Sequence, residues 1–486
     1  MYLKGIKQKN LSKKHLKQFL ASILGIYILL VFAFYFLCGY QLHFRPSRGN
    51  FEMPVADSGT AELTNGQPIE QIFQVKIQRL QSISVQWGNY FRASSGNVYV
   101  ALYDLRNQAL LMEQTLNTAD IADGMVTTMT AEAPIENIYM APLLLRIEGN
   151  IAPGSGVTVL MSTATEEEGF SLFSSSVQVP GTLCFSVKGE DYIWTGKHYW
   201  QLALGSGVLL SLYLLLTYRR WKQGKGGVLL NALMAVNKYR FLIKQLVSRD
   251  FKAKYKRSVL GIFWSFLNPL LTMSVQYVVF SNMFRFDIPY YPVYLLSGII
   301  IFNYFSEACG MALISIIGNA SLITKVYVPK YIFPLTRVLS SLVNLLISMI
   351  PLFIIAFFSG LRPTKAYLLI PFVLLCVTLF CLGLGLLLAA AMVFFRDIQF
   401  LWGVLTMIWM YLTPIFYPES ILPQQVVGVL KINPLYYFIN FLRSCVIDGI
   451  SPEPVVYVQC FLIALGFLIV GSLVFKHSQD KFILYL

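Results

Sequence analysis

Eight lysines and arginines lie between Lys238 and Arg257 with a single acid, Asp250, among them, and Leu242, Ile243, Leu246, Val247, Phe251 and Tyr255 recur at steps of four. The chemistry open to such a segment is electrostatic: its apolar side chains sink toward acyl chains while its cations meet anionic lipid headgroups. An ordinary positive cluster beside a membrane span is the plainer reading of the same residues. Covalent chemistry has far less support. No CxxC, HExxH or EF-hand pattern occurs, and His15, His43, His198 and His477 are scattered, so neither a catalytic group nor a metal site is expected. No G-x-x-x-x-G-K-[ST] sequence occurs either, so ATP is not expected to bind this chain. Of seven cysteines only Cys184 falls within 45–195, which leaves that stretch without an internal disulfide, and the others read as small packing residues in or beside spans.

The elements that must carry these residues are largely membrane helices. The 486 residues are 56% hydrophobic with a mean hydropathy of +0.61, and only 13% are charged, about half the share of a soluble domain. Uncharged runs at 19–40 and 199–218 are each long enough to cross about 30 Å of hydrocarbon. The first is too long for a signal-peptide core, and Leu37 spoils Cys38 as a lipid-attachment site, so a retained anchor is expected. Residues 45–195 hold 8 basic and 16 acidic residues, a net of −8, whereas the remainder carries +22. Lys4 to Lys17 precede the first anchor, and Arg219, Arg220, Lys222 and Lys225 follow the second, which puts both flanks in the cytoplasm and 45–195 outside. The basic residues sit beside spans, so nucleic acid is not an expected partner.

The outer segment reads as β structure. Ile83, Val85 and Trp87 alternate with polar residues, as do Val98, Val100 and Leu102, then Leu143, Leu145 and Ile147, then Val157, Val159 and Met161, then Leu183, Phe185 and Val187. Turn-forming clusters at 94–97, 123–124 and 152–156 separate them. Seven or eight short strands predict an antiparallel all-β sandwich. Two of its pieces, 82–104 and 143–162, resemble jelly-roll domains of the carbohydrate-binding-module type. Trp87, Tyr90, Phe91, Tyr99 and Tyr103 either stack on sugar rings or fill the sandwich core.

The sequence predicts an α-helical polytopic membrane protein of about eight spans around this sandwich. Its parts are a basic cytoplasmic N-terminus (1–18), an anchor (19–41), the sandwich (45–195), a second anchor (199–218), an amphipathic interface helix (237–257) and a six-span core (258–486). The core spans are expected at 262–284, 293–317, 333–359, 366–395, 401–416 and 455–475.

Four blocks of the core, YKRSVLGIFWSFLNPLL (255–271), LITKVYVPKYIFPLTRVLSSLVNLLIS (322–348), FFRDIQFLWGVLTMIWMYLTPIFYP (394–418) and NPLYYFINFLRSCV (433–446), stand in the order and spacing of a known family. They resemble the membrane subunit of ABC-2-type exporters for O-antigen, teichoic acid and capsular polysaccharide. The usual permease of that family has six spans and no large outer domain, so residues before 237 are an addition. The resemblance implies a permease homodimer and a separate ABC ATPase that binds ATP and Mg²⁺, moving a lipid-linked glycan from the cytoplasmic to the outer side of the plasma (inner) membrane. An exporter of a drug, lipid or peptide, and a membrane-anchored glycan receptor, are the alternative readings.

Roles follow on that footing. A short inner helix at 320–330, ended by Pro329, is the expected ATPase handle, with Leu322, Ile323, Lys325, Val326 and Val328 on it. Trp264, Trp402, Trp409 and Tyr411 are expected along a translocation path, where aromatic faces let sugar rings slide; an interfacial aromatic belt also accounts for Phe416 and Tyr417. Glu307 is the one acid deep in a predicted span, so it must face protein or water. Arg396 and Asp397 mark the inner edge of another span, and Pro418 to Pro454 reads as re-entrant or surface helices. Gly383, Gly385 and Ala389 to Ala391 allow close helix approach.

Overall fold

A computed structural model describes residues 13–64, 66–92, 95–151, 157–164, 169–175, 177–223, 228–256, 258–283, 288–326, 328–419 and 422–485. The chain divides into two compact units: a β unit, Leu42–Tyr199, and a helical unit formed by residues up to Gln41 and from Trp200 onward.

The β unit is a two-sheet antiparallel sandwich. One sheet runs β1 (Phe44–Pro46), β13 (Phe185–Tyr192), β4 (Arg79–Gly88), β9 (Thr158–Ser162) and β12 (Thr182–Leu183), with β2 (Ser58–Gly59) on β9 and β7 (Val126–Glu136) on β4. The other runs β11 (Val177–Val179), β10 (Ser171–Ser174), β3 (Ile69–Phe73), β8 (Leu143–Ile151), β5 (Gly96–Asp104) and β6 (Ala109–Asn117). Period-2 patterning fixes which residues meet: Ile83, Val85, Trp87, Val98, Val100, Leu102, Leu143, Leu145, Ile147, Val159, Phe185 and Val187 share one buried core. The expected turns at 94 and 152–156 lie outside the described residues. A four-residue helix, α2 (Trp194–Lys197), ends this unit.

Among the described residues of the helical unit, seven helices are long and apolar enough to cross a membrane. They are α1 (Lys13–Cys38), α3 (Tyr199–Lys222), α5 (Trp264–Met283), α6 (Tyr291–Leu313), α8 (Ile332–Phe358), α9 (Ile370–Phe394) and α13 (Pro454–Ser478). The amphipathic helix is α4 (Val228–Tyr255), and the short ones are α7 (Ala320–Lys325), α10 (Ile398–Tyr411), α11 (Gln424–Leu430), α12 (Pro434–Arg443) and α14 (Phe482–Tyr485). Helices α9 and α13 touch backbone to backbone, for a Cβ on Gly471 would lie 1.9 Å from the Gly383 carbonyl oxygen. The anchors α1 and α3 meet where the Tyr27 hydroxyl donates to the Ala203 carbonyl (2.6 Å). The end of α1 is tied to the core by the Ser451 N–H, which donates to the Gln41 side-chain oxygen (2.6 Å).

Two expectations for the core need correction. The span at 401–416 is a helix of only 14 residues, α10, which stops at Tyr411. It covers about 21 Å, short of the roughly 30 Å of hydrocarbon. The proposed handle ends at Lys325 rather than at Pro329, and Val326 is already extended.

Candidate functional site: a polar cavity and a broken span

Four helices of the core converge on a cavity of about 290 Å³. Helix α4 contributes Lys254 and Tyr255; α5 Trp264, Ser265, Asn268 and Pro269; α6 Asn303, Tyr304 and Glu307; α8 Ser341, Asn344 and Ser348. Glu307 is the pivot. Its carboxylate pairs with the Lys254 ammonium at 2.9 Å and accepts from the Asn344 amide at 2.7 Å and the Ser341 hydroxyl at 3.4 Å. Tyr255 donates to the Asn344 side-chain oxygen at 3.0 Å and shares a hydrogen bond with Ser265. Pro269 lacks the N–H that would bond to the carbonyl four residues earlier, that of Ser265, and Ser348 donates to that oxygen instead at 3.0 Å. The amides of Asn268 and Asn303 face the cavity with no protein partner among the described residues, and Trp264 stands at its rim, 44% exposed. Hydroxyls, amides, one internally neutral ion pair and an indole suit an uncharged, hydroxyl-rich ligand better than an anion.

Lys254 reaches Glu307 because α4 is docked. Asp250, one turn earlier and buried, pairs with Arg337 of α8 at 3.1 Å and with its neighbour Arg249 at 3.0 Å. The helix therefore offers one acid and one base at i and i+4, and each finds its opposite on the core. Leu246 is buried on the same face, while Lys238, Arg240, Phe241, Lys244 and Lys252 remain exposed.

The broken span is the second feature. Lipid cannot hydrogen-bond to non-helical backbone, so the residues after α10 must find donors within the protein. They do. The Tyr411 carbonyl accepts from the Tyr417 hydroxyl (2.8 Å), that of Leu412 from the Asn433 amide (3.5 Å) and that of Thr413 from the Ile415 N–H (2.7 Å). Arg443 donates to the carbonyls of Pro414 (2.9 Å) and Ile415 (3.3 Å), Tyr291 to that of Phe416 (2.8 Å), and Tyr294 to that of Tyr417 (2.9 Å). Seven consecutive carbonyls are satisfied, six of them by side chains from elsewhere in the chain or across the turn.

The expected path residues divide. Trp264 and Glu307 line the cavity together. Trp402 is buried and packs edge-on against Phe305 (5.8 Å), as does Trp409 (4.9 Å), whose indole N–H donates to Asn433 at 2.8 Å. Both belong to the wall behind the cavity rather than its lining. Tyr411 is exposed at the end of α10. Arg396 and Asp397 are exposed at its start and form no ion pair among the described residues. In α7, Ile323 is buried, and Leu322 and Val328 pack with it against Phe333, Val393, Phe475 and Phe482. The apolar face expected to meet a partner is thus consumed by the chain's own core. Ser321, Thr324, Lys325 and Val326 point outward, and Pro329 is half-buried.

In the β unit Trp87 must be removed from the candidate sugar contacts. It is wholly buried, with its indole N–H donating to Thr127 at 2.7 Å. Tyr99 and Tyr103 lie on the opposite face of β5 from buried Val98, Val100 and Leu102, half-exposed. Glu113 accepts the Tyr99 hydroxyl and pushes its pKa upward, and Arg146 on β8 lies across from Ala101 between them. Tyr90 and Phe91 are exposed on a turn where both take positive φ (49° and 58°), held by the Asp123 carboxylate on the N–H groups of Asn89 and Tyr90 and by Asn89 on that of Phe91.

Lys254, Asn344, Arg443 and Tyr294 were not singled out from the sequence. An arginine at the end of a short apolar helix was the available signal for Arg443. No cluster of three metal-ligating side chains exists among the described residues.

Residues 241–447 match the family described as ABC-2 type transporter. The O-antigen export system permease protein RfbA of Myxococcus xanthus is 30% identical over 246 residues, 50% of this chain and 95% of the relative. The protein of the same description from Klebsiella pneumoniae is 28% identical over 245 residues, 50% of this chain and 93% of its own length. The polysialic acid transport protein KpsM of Escherichia coli is 23% identical over 242 residues, 49% of this chain and 93% of the relative. The cavity, α7 and the broken span all fall inside the matched half, and with such a relative covered almost end to end the chain belongs to the ABC-2 type transporter family.

Proposed function

We propose that this multi-pass membrane protein is the transmembrane subunit of an ATP-driven exporter of a lipid-linked polysaccharide or related envelope glycopolymer. The observation that carries the reading is the polar cavity at Glu307, whose free amides and rim indole suit sugar hydroxyls and sit among otherwise apolar spans. Two copies work with a separate ABC ATPase, which supplies ATP and Mg²⁺ chemistry and grips the outward side of α7 at Ser321, Thr324 and Lys325, with Val326 just beyond the helix. The β unit contacts the glycan through Tyr99 and Tyr103, with Tyr90 on its turn as a further contact. Depleting the protein in its host should trap lipid-linked polysaccharide on the cytoplasmic side within a few generations, detected by its resistance to surface enzymes in intact cells and its release on lysis. Normal surface polysaccharide under depletion would reject the assignment.

The charge distribution further supports a cytoplasmic N-terminus and C-terminus with residues 45–195 outside. All seven native cysteines are buried, so introduced ones report against a low background. Cysteine at exposed Asn107 is expected to react with a membrane-impermeant maleimide in intact cells, and cysteine at exposed Lys325 only after permeabilisation. The reverse pattern would invert the topology.

A further inference from the structure

Arg443 is 6% exposed, at the last position of α12, and forms no ion pair among the described residues. Its guanidinium lies 3.4 Å from the centroid of the Tyr294 ring and donates to four oxygens: the carbonyls of Pro414, Ile415 and Tyr294, and the Ser297 hydroxyl (3.4 Å). A buried cation without an anion is expensive in any protein and more so at membrane depth. Packing alone does not account for it, because an apolar side chain fills space without that cost. What the guanidinium uniquely supplies is a planar fork that reaches two successive carbonyls while its face rests on an aromatic ring. Those two carbonyls, Pro414 and Ile415, lie at the middle of the non-helical stretch that follows α10. Tyr294 completes the clasp, its ring under the guanidinium and its hydroxyl on the Tyr417 carbonyl.

We propose that Arg443 is a positioning residue for export: it holds the Pro414–Ile415 backbone against α6, and so fixes where the flanking aromatics Trp409, Tyr411 and Tyr417 stand. The inference rests on the export reading above for its functional half and on geometry alone for its structural half. Lysine retains the charge but has no planar fork. Its donors radiate from a single nitrogen, so it cannot present two coplanar nitrogens to the two carbonyls as the guanidinium does, and it cannot lie flat on Tyr294. Arg443→Lys is therefore expected to leave the protein in the membrane while loosening the break.

The test uses the full chain with its ATPase, in cells lacking the native copy. Arg443→Lys should keep membrane level and bound ATPase within about twofold of the parent, while polysaccharide exported per ATP hydrolysed falls about tenfold. Arg443→Gln, without the charge, should fall further, so that the conservative variant gives partial rescue. In the same protein, cysteine at Ile415, buried in the parent at 1% exposure, should gain at least fivefold in thiol reactivity when Arg443 becomes lysine. Unchanged reactivity at position 415, or unchanged export per ATP, would overturn the positioning role. So would a loss of export merely proportional to a loss of membrane level. If the parent protein moves no polysaccharide, the export reading fails, and the reactivity of position 415 still decides the positioning claim.

Discussion

Ile323→Asp is expected to remove folded protein from the membrane, whereas Lys325→Glu, two residues away, should leave the protein in place and strip it of its ATPase. The two side chains share a six-residue helix but face opposite ways. Ile323 packs among Phe333, Val393, Phe475 and Phe482, so a carboxylate there meets no partner and loses the apolar burial as well. Burying an unpaired charge is among the few changes that destabilise by more than about 4 kcal/mol. Lys325 is exposed, and surface substitutions ordinarily stay within about 0.5 kcal/mol of neutral. A charge reversal on a partner-facing surface acts on the complex instead, where like-charge contact costs several kcal/mol. Copurification from detergent should thus show at least a tenfold loss of ATPase from Lys325→Glu at normal permease level, and too little Ile323→Asp protein to assay. Full ATPase recovery with Lys325→Glu would mean that the outward face of α7 is not the handle. A normal level of Ile323→Asp would mean that the face turned toward Phe475 is not buried in the cell.

The way α7 misleads a reader of the sequence is informative. Four apolar residues in a short inner loop are visible in the sequence, but whether they face a partner or their own core depends on residues of α9, α13 and α14 from Leu386 to Phe482, far along the chain. The β unit shows the same division. Alternation in β4, β5 and β8 was legible because the period of two survives in any sandwich, and it identifies which residues share a face. It does not say which aromatic face is the core, and Trp87 is inward while Tyr99 and Tyr103 are outward. Hydropathy placed the long spans well but ran 401–416 together, since Leu412, Ile415 and Phe416 are as apolar as a span requires. Pro414 was the local warning, for it cannot donate and disfavours helix in the residue before it. The donors that make the break tolerable are Tyr291, Tyr294, Asn433 and Arg443, distant in sequence and individually unremarkable. Glu307 was legible as an anomaly because charge is rare at that depth, yet its partner Lys254 was hidden among the eight basic residues between 238 and 257.

That pairing supplies the remaining large effect. Lys254→Glu sets a second carboxylate against Glu307, and Glu307→Lys sets two ammonium groups against each other beside the cavity. Either single change should lower export about tenfold, through partial undocking of α4 from α6. The charge-swapped double variant, Lys254→Glu with Glu307→Lys, restores opposite charges across the same gap and should recover export to within about threefold. Both side chains are partly exposed, 43% for Lys254 and 29% for Glu307, so solvent screens the attraction and the coupling belongs near 1 kcal/mol rather than at the value of a dry pair. The amplification in export comes from geometry: the pair joins α4, already fixed to α8 through Asp250 and Arg337, to α6 beside the cavity that Trp264, Asn268 and Asn303 line. A double-mutant cycle on export rate, with membrane level measured in parallel, separates the cases. Additive single effects with no recovery in the swap would show that each side chain acts alone. Singles indistinguishable from the parent would place this pair with the many exposed ion pairs that contribute nothing measurable. Recovery in the swap tests whether complementary charge across the 2.9 Å gap holds the helix, and it should stay short of complete because a lysine at 307 cannot accept from Asn344 and Ser341.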